Sequence, residues 1–292
     1  MHLSRPGRHP LRAAIAFGIA LAIVPPTAPA KPPEGAAKKL CRAAREDNLG
    51  LVRKIIRDSG ESVKETDQFG YTALHWAALC GHMEVLEDLL NAGAAVDSPA
   101  GDEGRTALYL ASLRGREAVI EALLARGAAA NGKDRTGRTA VHAAAETGQA
   151  RTLETFIRHG WAVEVRDADG LTPLHLACQA GHEGAARLLA EHGAPVDPAD
   201  DSGETPLHLA ALAGHCSLIA FLLERGARSD ARDGSGATPL LRASRCGQVA
   251  AARALIAAGA DIAAVDGTGR TALDYARLFA FNELEAVLLV KR

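Results

Sequence analysis

The sequence of 292 residues has few aromatic side chains and few cysteines. Phe, Trp and Tyr make up only 4% of it, although 48% of the residues are hydrophobic. The five cysteines form no Cys-x-x-Cys pair, which argues against a zinc ribbon and against a small domain held together by disulfides. The formal net charge is only -2, which argues against a general nucleic-acid coat and against a polybasic membrane binder.

Alanine supplies much of the hydrophobic fraction, at about a fifth of the chain. A core built from so many small side chains brings backbones close together, so we expect helices packed on helices. The length suits one large domain or two ordinary ones, and the chain is too apolar to be disordered.

The first thirty residues have the pattern of an export signal. Three Arg precede the apolar run 13–24, and small residues follow at Ala28 and Ala30. A helix of about a dozen residues spans roughly 18 Å, which is too short for a hydrocarbon core of about 30 Å. We therefore predict a signal peptide at 1–30 and a short linker at 31–35. The protein is expected to be exported, periplasmic or secreted, with no membrane insertion after cleavage.

The remainder of the chain repeats with a period of 33 residues. A Gly stands two positions before each repeated Thr, and further Gly follow nine and twenty-one positions after most of them. The first spacing is 34 residues and the next five are 33, between Thr72, Thr106, Thr139, Thr172, Thr205, Thr238 and Thr271.

One unit shows what the repeat builds. Gly203 belongs to a turn, Thr205 is suited to cap a helix, and Pro206 suits the first helical position. Gly214 is suited to end this helix in a left-handed cap, and a second helix is predicted from about 217 to 224. Two such short helices cannot bury their apolar faces alone, so each unit needs neighbours like itself.

The motif Asp-x-x-Gly-x-Thr-Pro-Leu-His-x-Ala runs from Asp167 to Ala177 and again from Asp200 to Ala210. This pattern resembles the ankyrin repeat. The resemblance implies an all-α fold in which helix-turn-helix pairs, joined by β-hairpin loops, stack into a curved solenoid. It implies little about function, because in this family the function depends on variable surface residues.

The resemblance divides residues 36–292 into an ankyrin-repeat domain of about eight repeats. The first unit, 36–66, lacks the Thr-Pro opening and is expected to cap the amino-terminal end. The last unit, 266–292, has Phe279-Ala280-Phe281 at the Gly-His region and is expected to cap the other end. The units between them are predicted at 67–100, 101–133, 134–166, 167–199, 200–232 and 233–265.

Several units depart from the pattern. The 34-residue spacing places an extra residue in 98–103, so this hairpin is expected to protrude differently. The repeated His is replaced by Tyr109, Leu241 and Asp274. Trp161 occupies a position that is normally small and packed.

The repeated histidines suggest a metal site at first sight. Equivalent atoms in stacked units should lie about 8 to 10 Å apart, however, whereas zinc needs nitrogens about 2.0 Å from one centre. We therefore predict that these side chains bond local backbone and neighbouring repeats. The Asp-rich turn at 200–203 lacks a calcium-binding ligand ladder. No metal site and no cofactor are expected.

The cysteines suggest at most one disulfide. Cys80 and Cys246 lie five repeats apart and cannot bond in a stack, and Cys178 is expected to be an inert core residue. Cys216 and Cys246, near adjacent interhelical turns, are the pair most compatible with a bond. At least one thiol of the five must stay free or pair with another molecule.

No pattern of a catalytic site is present. The sequence has no Gly-x-Ser-x-Gly elbow, no phosphate-binding glycine loop and no His-Glu-x-x-His. His142 and Glu146 are four residues apart, but they occupy a structural repeat position and a turn-facing one. We therefore predict that the protein is not an enzyme.

The positions that do not repeat surround each turn Gly and the end of each first helix. Such positions are freed from packing and, in ankyrin-like proteins, form the concave partner surface. They are Phe69, Tyr71, Leu79, Cys80, Glu103, Arg105, Leu113, Arg114, Arg135, Arg138, Glu146, Thr147, Asp169, Leu171, Gln179, Asp201, Glu204 and Leu212. Because aromatic residues and Arg are enriched at binding hot spots, we predict a partner-binding set of Phe69, Tyr71, Arg105, Arg114, Arg135 and Arg138.

These features favour a monomeric, non-enzymatic protein of a bacterial cell envelope that binds another protein. An inhibitor or immunity protein against a toxin or enzyme is the alternative, since the later repeats are more acidic and would suit a basic target. An enzyme is the third option, and it would require a deep pocket with convergent titratable groups.

Overall fold

The computed structural model describes residues 36–58 and 63–290, which form sixteen helices in eight consecutive pairs. The first helices of the pairs are α1 (Ala36–Arg45), α3 (Ala73–Cys80), α5 (Ala107–Leu113), α7 (Ala140–Glu146), α9 (Pro173–Ala180), α11 (Pro206–Ala213), α13 (Pro239–Arg245) and α15 (Ala272–Leu278). The second helices are α2 (Leu49–Asp58), α4 (Met83–Asn91), α6 (Glu117–Ala125), α8 (Ala150–Arg158), α10 (Glu183–Glu191), α12 (Cys216–Glu224), α14 (Val249–Ala257) and α16 (Asn282–Val290).

This architecture confirms the predicted all-α stack of paired helices. One helix pair falls within each of the eight predicted units, although the exact unit boundaries stay a prediction. The proposed signal peptide, 1–30, and the linker, 31–35, lie outside the described residues.

Small side chains let the first helices approach one another closely. Ala77, Ala111 and Ala210 have no exposed surface. Larger residues such as Leu189 and Leu222 fill the space between the second helices, and they too are fully buried. One apolar core extends in this way from Leu40 to Leu288.

The repeated Thr and His cap each first helix and join it to the next unit. In the unit of α9, His175 Nδ1 accepts a hydrogen bond from the backbone N–H of Thr172 at 3.1 Å. This bond leaves the proton on Nε2, which donates to the backbone oxygen of Glu204 in the following unit at 3.1 Å. The prediction that these histidines bond backbone and neighbouring repeats is confirmed.

The same arrangement recurs along the stack, and we call it the histidine relay. The Nε2 atoms of His75, His142 and His208 donate to the backbone oxygens of Ser98, Leu171 and Ala237. All four rings of the relay have no exposed surface.

The turns inside the two terminal units differ from the others. Asp47 has a φ of 55° and Ala280 a φ of 56°, whereas the internal units place Gly in the left-handed conformation at this turn. A residue other than Gly is strained there. The ends of the stack thus depart from the internal pattern, as expected for caps.

Trp161 is accommodated by an aromatic partner. Its ring stacks on that of the buried Phe156, with 4.4 Å between centroids and 7° between planes. Other units have Ala194 and Ala227 at this position, and both are buried.

All five cysteines are free, so the suggested bond between Cys216 and Cys246 is wrong. The Cys216 thiol instead donates a hydrogen bond to the backbone oxygen of Gly214. Cys178 is fully buried, and burial raises its pKa, which fits an inert core residue.

The buried relay should make the folded protein lose stability as the pH falls. Burial lowers the pKa of His75, His142 and His175 from 6.5 to about 4, although bonds to neighbouring carbonyl groups and nearby Asp side chains oppose this shift. The unfolded chain takes up these protons near pH 6.5, whereas the folded chain does so only near pH 4. The free energy of unfolding should therefore decrease below pH 6.5, by about 1 to 2 kcal/mol for each of these histidines at pH 5.

Urea unfolding followed by circular dichroism at pH 7.5, 6 and 5 measures this loss. The variant His175→Gln should show a smaller pH dependence than the parent. The control His192→Gln should not, because His192 lies exposed at the end of α10. Equal stability at pH 7.5 and pH 5 would contradict the account.

Candidate interaction surface

Short hairpin turns that we call fingers precede the first helices. An Asp begins most of them and holds the turn closed. In the finger 200–204, Asp200 Oδ1 accepts from the backbone N–H groups of Ser202 and Glu204, both at 2.8 Å. The fingers are 67–71, 100–105, 134–138, 167–171, 200–204, 233–237 and 266–270.

Backbone bonds join each finger to the next. Ala168 N donates to Thr136 O at 2.7 Å, and Gly234 N donates to Ser202 O at 2.7 Å. Equivalent bonds link the remaining neighbours in the series. The implied β-hairpins are thus reduced to turns: among the described residues, β-bridge geometry is limited to the pair Ala100 and Arg105.

That pair belongs to the finger that contains the extra residue. Ala100 and Arg105 exchange two backbone hydrogen bonds, of 2.8 and 3.0 Å. Ala100 replaces the usual Asp and is buried, with 1% exposed surface. This finger is therefore built differently from the others, and the expectation that it protrudes differently stays a prediction.

The fingers and the exposed ends of the first helices form the surface where a partner was expected; we call it the finger face. Three of the six predicted residues are exposed on it. Phe69 lies in the first finger with 37% of its surface exposed, Arg135 is exposed in the third, and Arg114 is exposed at the end of α5.

The other three predicted residues are half-buried and support the fingers. The Tyr71 ring packs on Trp76, with 5.2 Å between centroids. Arg138 pairs with Glu146 at 3.1 Å and with Asp167 at 3.2 Å. Burial opposes the charge on Arg138, but the surrounding acidic groups raise its pKa above the usual value.

Arg105 is likewise engaged within the protein. Its guanidinium pairs with Glu103 and lies over the ring of Tyr109, with 5.0 Å between the Cζ atom and the centroid. Its nearest contact to Asp134 is longer, at 3.8 Å. Arg138 therefore links the fingers 134–138 and 167–171, whereas the closest ion pair of Arg105 lies within its own finger.

Three residues expected to face solvent are buried instead. Leu113 is 8% exposed, and Leu171 and Glu204 are each 7% exposed. Leu171 packs with Leu176 and Leu209 in a small apolar cluster. Glu204 pairs with Arg242 at 3.1 Å. Leu171 and Glu204 both stand directly before a repeated Thr and are buried there, which the sequence pattern did not reveal.

A cluster of polar atoms around Tyr109 was also missed by the sequence reasoning. In the described part of the chain, Tyr109 Oη, Arg105 Nε and Asp134 Oδ2 are buried and have no hydrogen-bond partner. The sequence did contain one indication, because Tyr109 occupies the repeat position at which the histidine relay has a His. Burial raises the pKa of Tyr109 to about 12, so the phenol stays protonated.

The structure offers no site for a metal ion within residues 36–58 and 63–290. No group of three or more His, Cys, Asp or Glu side chains there could hold one. In the same part of the chain, every helix is too short or too polar to cross a bilayer.

Helix pairs, finger turns and the histidine relay together define a stack of ankyrin repeats, a class typical of protein-protein interaction modules. The family model for ankyrin repeats (3 copies) matches residues 40–134, 120–200, 141–233 and 194–266. The chain belongs to the ankyrin-repeat family.

Individual relatives match short segments. The chain is 41% identical to the human ankyrin repeat domain-containing protein 39 over 56 residues, which cover 19% of this chain and 30% of the relative. It is 38% identical to BTB/POZ domain-containing protein 3 of Schizosaccharomyces pombe over 56 residues, 19% of this chain and 11% of the relative. It is 32% identical to palmitoyltransferase Hip14 of Drosophila melanogaster over 78 residues, 27% of this chain and 12% of the relative. The chain thus spans less than a third of the length of these three proteins.

The close approach of the fingers predicts different costs for two glycine substitutions. Gly203 and Gly226 both have positive φ, at 77° and 90°. An added Cβ on Gly203 would lie 2.7 Å from Gly234 N, whereas one on Gly226 meets nothing within 4 Å. In both variants the Ala residue must adopt the unfavourable left-handed conformation, and in Gly203→Ala the added methyl group must also push apart two neighbouring fingers.

We expect Gly203→Ala to lower the free energy of unfolding by about 1 to 3 kcal/mol more than Gly226→Ala. Urea unfolding measures the difference, and equal losses would show that the fingers are not closely joined.

Proposed function

We propose that this protein is a non-enzymatic interaction module of a bacterial cell envelope that binds a partner protein through its finger face. The observation that carries the proposal is that Phe69, Arg114 and Arg135 are exposed on a surface whose fingers are joined by backbone hydrogen bonds. A rigid surface loses little conformational freedom on binding, and aromatic and Arg side chains are the types that dominate interface energetics.

The half-buried members of the predicted set have a different role in this proposal. Tyr71, Arg105 and Arg138 position the fingers from within the protein. Their substitution should disturb the shape of the surface as well as its contacts. Phe69, Arg114 and Arg135 are the residues that meet the partner.

The proposed location rests on the sequence of the first thirty residues. A basic start, a short apolar run and small residues at Ala28 and Ala30 favour export and cleavage. The proposed partner is therefore a protein of the periplasm or of the secreted fraction.

An inhibitor or immunity protein is the second candidate. Asp169 and Asp201 are exposed on adjacent fingers, and they would face a basic region of a target. Loss of the target's activity on mixing would distinguish an inhibitor from a scaffold that leaves activity unchanged.

The likeness to palmitoyltransferases does not favour an enzyme. The matched segment covers 12% of the Drosophila protein, about the length of two repeats. The described residues of this chain offer no converging set of metal ligands for catalysis.

Substitution of the exposed residues tests the binding surface. A triple variant with Phe69→Ala, Arg114→Ala and Arg135→Ala should bind a partner captured from an envelope extract at least about tenfold more weakly, because hot-spot contacts are lost. Affinity of the purified pair is measured by calorimetry.

A control triple variant removes exposed side chains from second helices: Leu51→Ala, Arg151→Ala and Arg253→Ala. It should keep the parent affinity. Unchanged affinity in the finger variant, or an equal loss in the control, would refute the assignment of the surface.

Cleavage after Ala30 tests the proposed location. When the full chain is expressed in a Gram-negative bacterium, the periplasmic fraction should contain a protein whose first residue is Lys31. Ala28→Arg combined with Ala30→Arg should block this processing, because the cleavage site requires small residues. Mass spectrometry of the amino-terminal peptide reads the result. An intact amino terminus on protein confined to the cytoplasm would refute export.

A further inference from the structure

Three arginines lie around the end of α3, next to Cys80. Arg116 covers the turn that follows this helix, since its Nε atom donates to the backbone oxygen of Leu79 at 3.4 Å. A Cβ added to Gly81 would meet the Arg116 side chain at 2.9 Å. This side chain therefore reaches from the unit of α5 and α6 back onto the unit of α3.

The other two arginines come from the units on either side of Cys80. Arg45, at the end of α1, places its guanidinium over the ring of Trp76, with 5.4 Å between the Cζ atom and the centroid. Trp76 and Cys80 are four residues apart on α3, so they share a face of that helix. Arg114 is exposed and occupies in its own unit the repeat position of Cys80, and neighbouring packed helices lie about 8 to 10 Å apart. We call Arg45, Arg114 and Arg116 the arginine cluster.

All three charges of the arginine cluster act on the thiol of Cys80. Burial raises the pKa of this half-buried thiol, and the positive charges of Arg116, Arg45 and Arg114 oppose the rise. The negative charge of Asp47 acts in the same direction as burial. The electrostatic effect on this one thiol thus places the three guanidinium groups around a common point.

No acidic side chain among the described residues neutralises the arginine cluster. None of its three guanidinium groups forms a salt bridge there, because the nearby carboxylates are engaged elsewhere. Glu46 pairs with Arg42 at 2.9 Å, and Glu117 accepts a hydrogen bond from Thr152 at 2.7 Å. Uncompensated positive charge raises the local concentration of anions at a protein surface. The cluster is therefore suited to bind an anionic group.

Carboxylates suit the cluster better than a chain of phosphates does. A guanidinium group binds a carboxylate through two parallel hydrogen bonds. Asp102 and Glu103 are exposed on the finger of the same unit as Arg114, and the whole chain has a formal net charge of -2. An extended nucleic acid would meet this negative charge beyond the cluster, whereas a protein segment can place its Asp and Glu residues at the cluster alone.

We propose that Arg45, Arg114 and Arg116 form a docking subsite for an acidic segment of the partner protein, in which two or three Asp or Glu carboxylates lie close together. This inference rests on the proposed function, because Arg114 belongs to the finger face. It extends that surface to Arg45 and Arg116, and it states the chemistry of the partner at this end of the stack.

Hexaglutamate carrying a fluorescent label is a probe that needs no knowledge of the partner. Fluorescence anisotropy with the full chain should show saturable binding, and hexalysine with the same label should bind at least about tenfold more weakly. In isotope-labelled protein, hexaglutamate should shift the amide resonances of Cys80, Gly81 and Arg114. The amides of Asp169 and Asp201, on fingers that expose acidic side chains, should not shift.

A matched pair of double variants separates the cluster from the overall charge. Arg114→Gln combined with Arg116→Gln should weaken hexaglutamate binding at least about fivefold. The fold should be kept, because Gln248 occupies the position of Arg116 in another unit and donates to the backbone oxygen of Leu212 at 3.4 Å. Circular dichroism checks the fold.

The control combines Arg151→Gln with Arg253→Gln, which removes the same charge from exposed positions on second helices. It should keep the affinity of the parent for hexaglutamate within about twofold, because charges far from the cluster are screened by salt.

Arg116→Gln alone connects the peptide result to the partner. Arg116 is not part of the finger variant that removes Phe69, Arg114 and Arg135. Arg116→Gln should weaken binding of the purified partner at least about threefold at low salt, and the difference from the parent should shrink as the salt concentration rises.

Three results would overturn the acidic segment as the occupant. They are an equal loss of hexaglutamate affinity in both double variants, tighter binding of a six-nucleotide oligothymidylate than of hexaglutamate, and an unchanged partner affinity in Arg116→Gln. Each can occur while the finger variant still loses its partner, in which case the proposed function stands without this subsite. If hexaglutamate binds at the cluster but the finger variant keeps its partner, the cluster binds acidic peptides and the proposed surface is wrong.

Discussion

The structure depends on a constraint that no single unit can meet. A pair of helices of seven to ten residues is too short to be stable alone, so each pair must pack against its neighbours. The histidine relay makes this dependence specific, since His175 caps its own helix and donates to Glu204 of the next unit. Alanine packing supplies the close approach that brings these atoms within reach.

The rigid finger face follows from the same constraint. Backbone bonds such as that from Gly234 to Ser202 hold neighbouring fingers at a fixed separation. Ion pairs of Arg138 with Glu146 and Asp167 then occupy the spaces beneath them. Only the tips and the helix ends remain exposed for contact with another protein.

The sequence predicted the elements that are determined locally. Thr205 at the helix start, Pro206 in the first turn and the left-handed Gly214 all occupy the predicted positions. It did not predict contacts that depend on a neighbouring unit about thirty residues away. The burial of Glu204 and the ion pair of Arg138 with Asp167 both depend on such contacts. The suggested cysteine bond was wrong because a place near adjacent interhelical turns does not ensure the geometry that a disulfide requires.

The most direct test of this account is to determine the tautomers of the four relay histidines. Nitrogen-15 chemical shifts of the ring atoms distinguish a proton on Nε2 from one on Nδ1 and from the charged ring. We predict that His75, His142, His175 and His208 all carry the ring proton on Nε2, in slow exchange with water, and that His75, His142 and His175 are still neutral at pH 6. Charged rings, or a proton on Nδ1, would show that these side chains do not join one unit to the next.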